Sequence, residues 1–188
     1  MMNTREAWLI EAANKLREGV FKRSQHEVPQ VRLAIGFPGG GSAKKRIGEY
    51  WKGIACADGM PQIFISPTLS CPIEILDTLT HELVHAVVPN AGHGKEFRKV
   101  AIAVGLTGKM RSTTAGPELK LELEALSSLL GPLPHAGINL GEGRKKQSTR
   151  LIKCECSACG YTVRTTAKWI KLGMPLCPCN NEPMNVNQ

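Results

Sequence analysis

The sequence has no stretch that approaches the roughly 18 consecutive apolar residues needed to span a membrane. Its first residues, MMNTREAWLIEAANKLREGVFKR, also lack the short apolar core of a secretory signal. We therefore expect a cytoplasmic protein, able to associate with the nucleoid, that has no membrane partner.

Internal repeats are absent too, and low-complexity sequence is limited to the glycine run 39–41. The composition is that of a globular protein, with 42% hydrophobic and 21% charged residues. A chain of 188 residues can bury a core of ordinary size and fits one domain with a small appendage.

The 7 cysteines are unevenly distributed, and five of them lie between Cys154 and Cys179. In a reducing cytoplasm, clustered thiols are more often metal ligands than disulfide partners. We therefore expect a metal site near the C-terminus. Cys56 and Cys71 stand alone, and we expect them to be small buried hydrophobic residues.

Basic residues are concentrated in the last quarter of the chain. From Glu142 to the end, 8 basic residues stand against 3 acidic ones, which accounts for +5 of the net charge of +8. Lys and Arg bind phosphates without reading bases, so this segment favours a polyanionic partner such as DNA. The alternative is a solvated basic face that only aids solubility.

Helix and strand patterns alternate in the first part of the chain. Strands are predicted at 31–37, 47–56 and 62–65, and they indicate a small antiparallel or mixed sheet. A helix is predicted before them, from about residue 4 to 22, because apolar residues recur at helical spacing at Trp8, Leu9, Ala12, Leu16 and Val20.

Three further helices are predicted, which makes the chain α+β. One begins after Gly94 and ends at Gly105, and another runs from Pro117 to Gly131. The first of the three runs from about residue 72 to 88, and its buried face is predicted to contain Ile73, Leu76, Leu79, Leu83 and Val87.

The composition changes after Gly131: the chain becomes rich in proline, glycine and charged residues, and apolar residues no longer recur at regular spacing. We therefore divide the chain into a first domain at 1–131, a basic linker at 132–150 and a small module at 151–188.

His81 and His85 are four residues apart on the predicted helix 72–88. This spacing rotates the second imidazole by only about 40° relative to the first, so both rings can reach one metal ion. Glu82 lies beside them, where it can act as general base on a water molecule that zinc activates. The alternative is a pair of histidines hydrogen-bonded in the core. The pattern predicts a zinc-dependent peptidase.

A catalytic zinc site needs a third protein ligand. The sequence Pro-Asn-Ala-Gly at 89–92 turns the chain after the helix, so His93 can return to the same ion. Glu96 is the competing candidate, because many peptidases take a Glu from a following helix. His26 and His135 have no partners in the sequence, and we expect each to be structural or exposed to solvent.

The C-terminal module predicts a structural zinc site. Cys156 and Cys159 form a C-x-x-C pair before Gly160, and Cys177 and Cys179 supply a second pair after 17 intervening residues, as in a zinc ribbon. Two departures are the C-x-C spacing of the second pair and Asn180, which stands where glycine is usual. Cys154 is surplus and can replace one of the four ligands.

Basic and aromatic residues are interleaved in this module and in the linker. This pattern suits DNA binding in which the basic residues contact the phosphates and one aromatic ring stacks on a base. The alternative is a zinc clip that packs on the first domain, with the tryptophan in its small core. The predicted DNA-contacting residues are Arg144, Lys145, Lys146, Arg164, Lys168, Trp169 and Lys171.

The stretches Leu-Thr-His-Glu-Leu-Val-His-Ala at 79–86 and Gly-His-Gly-Lys-Glu-Phe at 92–97 resemble the SprT-like (SprT/Spartan) metalloproteases. Pro67-Thr68-Leu69 and the cysteine-rich module extend the resemblance over most of the chain. It implies that His93 rather than Glu96 is the third zinc ligand. It also implies a zincin-like domain, a small sheet with the metal helix below it, and a cleft along the edge strand for an extended substrate.

Characterised members of that family degrade proteins bound or crosslinked to DNA. The expected activity is therefore that of a zinc metalloendopeptidase with one catalytic and one structural Zn²⁺, acting on protein substrates at DNA. One alternative is a DNA-binding regulatory or scaffold protein with an idle metal site. Another is a peptidase for a soluble partner, with the ribbon as adaptor.

Overall fold

The structure, a computed structural model, describes residues 4–39, 46–142 and 151–186. It divides into two units, Met1–Glu142 and Gly143–Gln188. The fold is mixed α+β with small sheets and five helices, as the sequence predicted at this level. No helix in these ranges is long and apolar enough to cross a membrane.

Over 4–39 and 46–142, the first unit carries four α-helices and five strands. Its helices are α1 (Arg5–Leu16), α2 (Pro72–Val87), α3 (Lys95–Ala103) and α4 (Pro117–Leu130). Its strands are β1 (Arg32–Ile35), β2 (Gly48–Trp51), β3 (Gln62–Ile65), β4 (Leu106–Lys109) and β5 (Ser112–Ala115).

The three-stranded sheet of the first unit is mixed, with strand order β1-β3-β2. β1 runs parallel to β3, whereas β2 pairs with β3 in the antiparallel direction, with Tyr50 opposite Ile63. Among the described residues, β2 is therefore an edge strand of this sheet, and it lines a cleft together with α2 and the β4–β5 hairpin.

α1 begins at Thr4, whose hydroxyl accepts a hydrogen bond from the Ala7 N–H at 3.1 Å. After Leu16 the chain continues as a π-helical turn over Arg17–Phe21. Together these segments cover most of the predicted helix at 4–22. All five apolar residues predicted for the buried face of this helix are buried.

α2 crosses the centre of the first unit and contacts β2, β3, β5 and the other three helices. It begins with Pro72 in the first turn, and Pro89 stands just after its end. Its buried side chains differ slightly from those predicted: Ile75 is fully buried, whereas Ile73 and Val87 are only partly buried.

The antiparallel hairpin β4–β5 was not predicted. Its strands contain threonine, glycine, lysine and serine and bury one large side chain, Leu106, so they show no alternation of apolar and polar residues. The hairpin is positioned by tertiary contacts, since β5 packs against α2 and α4.

Residues 132–142, assigned to the linker from sequence, are grouped with the first unit. The Pro67 carbonyl accepts hydrogen bonds from the Ile138 N–H at 2.8 Å and from His135 Nε2 at 3.0 Å. Arg5 donates to His135 Nδ1 at 3.2 Å. His135 is therefore a structural residue, while the rest of the linker, 143–150, lies outside the described residues.

The second unit contains β6 (Ile152–Glu155), β7 (Thr162–Thr165), α5 (Ala167–Leu172) and β8 (Asn185–Val186). β6 lies between β7 and β8, and both pairings are antiparallel. Its buried core is small: Cys154, Cys156, Cys177 and Met184.

Candidate metal centre

Three histidines converge beside α2. His81 and His85 project from successive turns of the helix, and His93 lies in the turn between α2 and α3. Gly92 adopts a φ of 54°, a left-handed conformation that glycine allows without strain, and this turn carries His93 back toward the helix. The ring nitrogens of the three histidines lie within 4.8 Å of one another.

The distances between these nitrogens fit a metal ion. His93 Nε2 lies 3.2 Å from His85 Nε2 and 3.4 Å from His81 Nε2. Two ligands of a tetrahedral zinc ion, each bound at about 2.0–2.1 Å, are separated by about 3.3 Å. The three imidazoles thus present one nitrogen each at the spacing that a single ion requires.

Phe97, the last residue of the Gly-His-Gly-Lys-Glu-Phe stretch, supports all three imidazoles. It is fully buried on α3, and its ring centroid lies 5.0 Å from His81, 4.4 Å from His85 and 5.0 Å from His93. Contact with the apolar Phe97 ring restricts the orientations that the three imidazole rings can take. Sequence reasoning did not assign it a role.

Thr113 is a second residue that sequence reasoning missed. Its Oγ1 lies 2.7 Å from His81 Nδ1. With Nε2 turned toward the other histidines, Nδ1 carries the proton and donates to the threonine hydroxyl. A hydrogen bond of this kind fixes the tautomer and the ring orientation of a metal-binding histidine.

The histidines are held in the neutral form that binds metals. Burial, with a smaller effect of the His93 charge, lowers the pKa of His81 to about 4. Burial likewise lowers the pKa of His85 to about 3, and it lowers the pKa of the more exposed His93. All three rings are therefore available as ligands at neutral pH.

Glu82 is 6% exposed and points toward the edge strand β2, where its carboxylate accepts a hydrogen bond from the Tyr50 N–H. Burial raises the pKa of this carboxyl group to about 8, and the charge of Glu49 acts in the same direction. A divalent cation held by the adjacent histidines acts in the opposite direction, because it favours the ionised carboxylate.

A cleft of about 780 Å³ opens beside the triad and is lined by β2, by α2 and by the β4–β5 hairpin. β2 runs alongside α2, and the two elements have the same chain direction. Gly48 lies beside Thr78 and Glu82. The rings of Tyr50 and His85 are nearly parallel, with their centroids 6.2 Å apart. Lys52 Nζ donates a hydrogen bond to the side-chain oxygen of Asn90. The cleft therefore runs along the edge strand β2 of the described sheet, past the histidines.

The C-terminal cysteines form a second group, consisting of Cys156, Cys159, Cys177 and Cys179. Sulfur–sulfur distances within it are 3.8 Å for Cys156–Cys179, 3.5 Å for Cys159–Cys177 and 3.4 Å for Cys177–Cys179. These values are far from a disulfide bond and near the ~3.8 Å between thiolates that share a tetrahedral zinc ion. Cys154 lies outside this group, buried in the core.

Both cysteine turns use the same backbone pattern. The Gly160 N–H donates to the Cys156 carbonyl at 2.9 Å, and the Asn181 N–H donates to the Cys177 carbonyl at 2.8 Å. Asn181, with a φ of 59°, thus occupies the position of Gly160, which sequence reasoning had given to Asn180. The N–H groups of Cys159 and Ala158 lower the pKa of Cys156 to about 7, which favours a thiolate ligand.

Three further expectations can be compared with the structure. The prediction that Cys56 and Cys71 are buried was wrong: Cys71 is exposed at the start of α2, and Cys56 is partly exposed near the Lys52 carbonyl. Glu96 is exposed on α3, outside the histidine group. His26 contacts Ser24 in a surface loop.

Of the predicted DNA-contacting residues, Arg164, Lys168, Trp169 and Lys171 are exposed in the second unit. Trp169 is 56% exposed, so it does not belong to the small core of this unit, and Lys168 Nζ lies 5.0 Å from its ring centroid. Arg144, Lys145 and Lys146 lie outside the described residues.

No protein-family model, no curated protein and no solved structure matches this chain.

Proposed function

We propose that this protein is a zinc-dependent endopeptidase of the SprT-like type with a zincin-like first domain. One observation carries the proposal: three Nε2 atoms at ligand spacing, two of them on α2, stand beside a buried glutamate of that helix, in a cleft bordered by the edge strand β2. Peptidase chemistry needs each of these parts.

The residues that would hold the metal are His81, His85 and His93. A zinc ion bound there supplies a Lewis acid that makes a water molecule acidic near neutral pH and polarises a peptide carbonyl. Glu82 accepts the proton of the attacking water on its carboxylate and delivers it to the departing amine. The backbone of β2 holds the substrate in extended form by strand pairing.

Glu82→Gln tests this assignment, because it removes the base and preserves the size of the side chain. We expect the variant to retain zinc and fold but to lose at least ~100-fold in cleavage rate, in line with the value of general base catalysis. Glu96→Gln is the matched control, since Glu96 is an exposed carboxylate outside the histidine group. Equal cleavage by Glu82→Gln and the parent would refute the mechanism.

We further propose that the second unit brings the peptidase to DNA, so that its substrates are proteins bound or crosslinked there. Arg164, Lys168 and Lys171 are exposed in the same unit as the exposed ring of Trp169, and Lys168 Nζ lies 5.0 Å from the centroid of that ring. These residues support the proposal, because phosphate binding needs accessible cations and base stacking needs an accessible aromatic face.

Proteolysis of a DNA-bound protein, with and without DNA, tests the second proposal. We expect DNA to accelerate cleavage, salt to weaken it, and Trp169→Ala to reduce both DNA binding and the acceleration. Binding of DNA and two zinc ions without any cleavage would instead identify a scaffold. Cleavage that is insensitive to salt, with no DNA binding, would identify a peptidase for a soluble partner.

A further inference from the structure

We propose that Arg111 is a further catalytic residue, whose guanidinium group donates hydrogen bonds to the oxygen that carries the negative charge of the tetrahedral intermediate. This inference rests on the proposed peptidase function. It gives the β4–β5 hairpin a part in the chemistry, beside Glu82 and the three histidines.

The position of Arg111 follows from the way β5 runs along α2. The N–H of the last β5 residue donates to the carboxylate of Asp77, and Thr113 Oγ1 lies 2.7 Å from Nδ1 of His81, one helical turn further on. Two residues of a strand and four residues of a helix each advance about 6 Å, so the two elements keep this register. Arg111, in the turn that precedes β5, is therefore level with the next turn of α2, which carries His85.

Two observations agree with this placement. Arg111 lines the cleft together with the three histidines. Burial lowers the pKa of His93, the most exposed histidine of the group, and the positive charge of Arg111 lowers it further. The guanidinium group therefore acts on the candidate metal site from the hairpin side.

The donors of Arg111 are available to a ligand. Of the other cations that line the cleft, Arg46 is paired with Glu49, and Lys52 donates to the side chain of Asn90. Arg111 is exposed, and its side chain makes no hydrogen bond and no ion pair with a carboxylate within the described part of the chain.

Electrostatics favour the intermediate over the substrate as the partner of this cation. Arg111 shares the cleft with a site for a metal ion, and two cations repel one another at short distance unless a negative charge lies between them. The tetrahedral intermediate of peptide hydrolysis has that charge on its oxygen, whereas the carbonyl of the substrate is neutral. Arg111 therefore binds the intermediate more tightly than the substrate, which is the condition for a lower barrier.

The general base and the proposed oxyanion donor stand on different walls of the cleft. Glu82 accepts a hydrogen bond from the Tyr50 N–H on β2, whereas Arg111 belongs to the hairpin. The separation matters because the carboxylate of Glu82 repels a negatively charged oxygen. A substrate strand between the two walls excludes water, so the hydrogen bonds of the guanidinium group become stronger than in the free protein.

The proposed step conserves atoms and charge. Water adds to the carbonyl carbon and gives one proton to Glu82, while the electron pair of the C=O π bond moves to the oxygen that faces Arg111. The C=O bond then re-forms, the C–N bond breaks, and the departing nitrogen takes the proton from Glu82. The products are a carboxylic acid and an amine, which exchange the remaining proton. Arg111 stays protonated throughout.

The experiment uses the full-length zinc-loaded protein, an unstructured peptide substrate and a constant amount of single-stranded DNA. Arg111→Gln removes the charge and the guanidinium group. We expect kcat to fall at least about 100-fold while KM changes less than about threefold, because the lost interaction forms only in the transition state. Arg111→Lys keeps the charge without the planar fork of donors, and it should recover part of the loss.

Lys109→Gln is the matched control. Lys109 is an exposed cation of the same hairpin, opposite Ser112 in the register, and it is not among the residues that line the cleft. This variant should keep the kcat of the parent. Zinc content and the NMR signal of the buried Trp8 indole establish that each variant is folded.

Two binding measurements test the cause without turnover. A phosphinic peptide carries a negatively charged tetrahedral group in place of the scissile bond, and it should bind Arg111→Gln at least about 100-fold more weakly than the parent. The intact substrate should bind Glu82→Gln and the double variant Glu82→Gln, Arg111→Gln equally, within about threefold. Fluorescence anisotropy of labelled peptides measures both affinities.

The outcomes separate the two proposals. Glu82-dependent cleavage with an unchanged kcat in Arg111→Gln would overturn the inference alone. A loss confined to KM would do the same, because it would identify a residue that binds substrate or DNA, and so would equal affinity of Arg111→Gln and the parent for the phosphinic peptide. Absence of Glu82-dependent cleavage by the parent would refute the peptidase function itself and the inference with it.

Discussion

At the scale of single residues, Gly48 has the most demanding position in the cleft. A Cβ atom at this position would lie 2.5 Å from Glu82 Oε1 and 2.6 Å from Thr78 Cγ2. No side chain can therefore be added to β2 at this point without moving the proposed general base. The absence of a side chain at Gly48 is what lets Glu82 approach the edge strand.

Gly48→Ala should lower kcat/KM at least about 100-fold, because displacement of Glu82 by even 1 Å impairs proton transfer. Zinc content should change little, since the three atoms nearest to the added Cβ belong to Glu82 and Thr78. Peptidase assays with metal analysis of the purified variant measure both effects. Gly19→Ala is the control, because a Cβ there meets nothing within 4 Å, and activity in Gly48→Ala equal to that of the control would contradict the assignment.

Thr113 contacts the candidate metal site through His81. Thr113→Val keeps the shape of the side chain but removes the 2.7 Å hydrogen bond, so zinc affinity should fall roughly 10–100-fold. Competition with a chromophoric chelator measures the affinity. Thr113→Ser retains the hydroxyl and should bind nearly as tightly as the parent; equal affinity in the valine variant would show that the hydroxyl does not orient His81.

Asp77 also predicts a pH dependence of stability. Its folded-state pKa of about 6 lies above the ordinary value of 3.8, so the native state holds the proton more tightly than the unfolded state. The corresponding stability is complete below about pH 4 and is lost as the pH rises through 6. Asp77→Asn avoids this loss.

We therefore expect Asp77→Asn to be more stable than the parent above pH 6, by about 1 kcal/mol after allowance for partial solvent screening. The difference should vanish below pH 4. Urea denaturation at several pH values, followed by the NMR signal of the buried Trp8 indole, measures it in the first unit. A difference that does not vary with pH would exclude a titrating Asp77 as its cause.

At the scale of elements, the two cysteine turns show how different sequences form one local structure. The C-x-x-C turn ends with Gly160 and the C-x-C turn with Asn181, and each residue donates its N–H four positions back. Asparagine tolerates a positive φ better than other residues with a side chain. The shorter spacing of the second pair is therefore compatible with a four-sulfur site.

Asn181→Ala should weaken zinc binding at this site by about 1 kcal/mol, because alanine is strained at a φ of 59°. Asn181→Gly should bind as tightly as the parent or tighter. Zinc titration of the two variants against a chelator distinguishes them. If alanine and glycine behave alike, the left-handed conformation of residue 181 does not matter for the site.

At the scale of the whole molecule, the two units derive their stability from different sources. The first has an extensive buried core that includes Trp8, Phe21 and Phe97. Within 151–186, the described part of the second unit, only four residues are buried, three of them cysteines. So small a core cannot offset the loss of chain entropy on folding, and we therefore expect metal binding at the four cysteines to supply the difference.

Removal of metal by a strong chelator should therefore unfold the second unit and leave the first folded. In a two-dimensional ¹H–¹⁵N NMR spectrum, the signals of residues 151–186 should collapse to random-coil positions while the Trp8 indole signal remains dispersed. Addition of zinc should restore the spectrum. A second unit that keeps its dispersion without metal would show that its folding does not depend on the four cysteines.

The parts of the site that lie within one helix could be predicted from the sequence. The period of apolar residues defines α2, and spacing alone puts His81 and His85 on one side of it, because helical geometry depends only on neighbours along the chain. The cysteine spacing likewise predicts the second cluster. Both groups assemble as expected, each with ligand atoms within 4.8 Å of one another.

Only the tertiary structure decided which distant residues complete the site. Thr113 lies 32 residues after His81, on a hairpin without hydrophobic alternation, and Gly48 and Tyr50 come from an edge strand before the helix. Periodicity reports which residues share a face of one element, whereas these contacts depend on how separate elements pack. The histidines that could hold a metal ion were therefore visible in the sequence, while the surroundings that orient them and hold Glu82 were not.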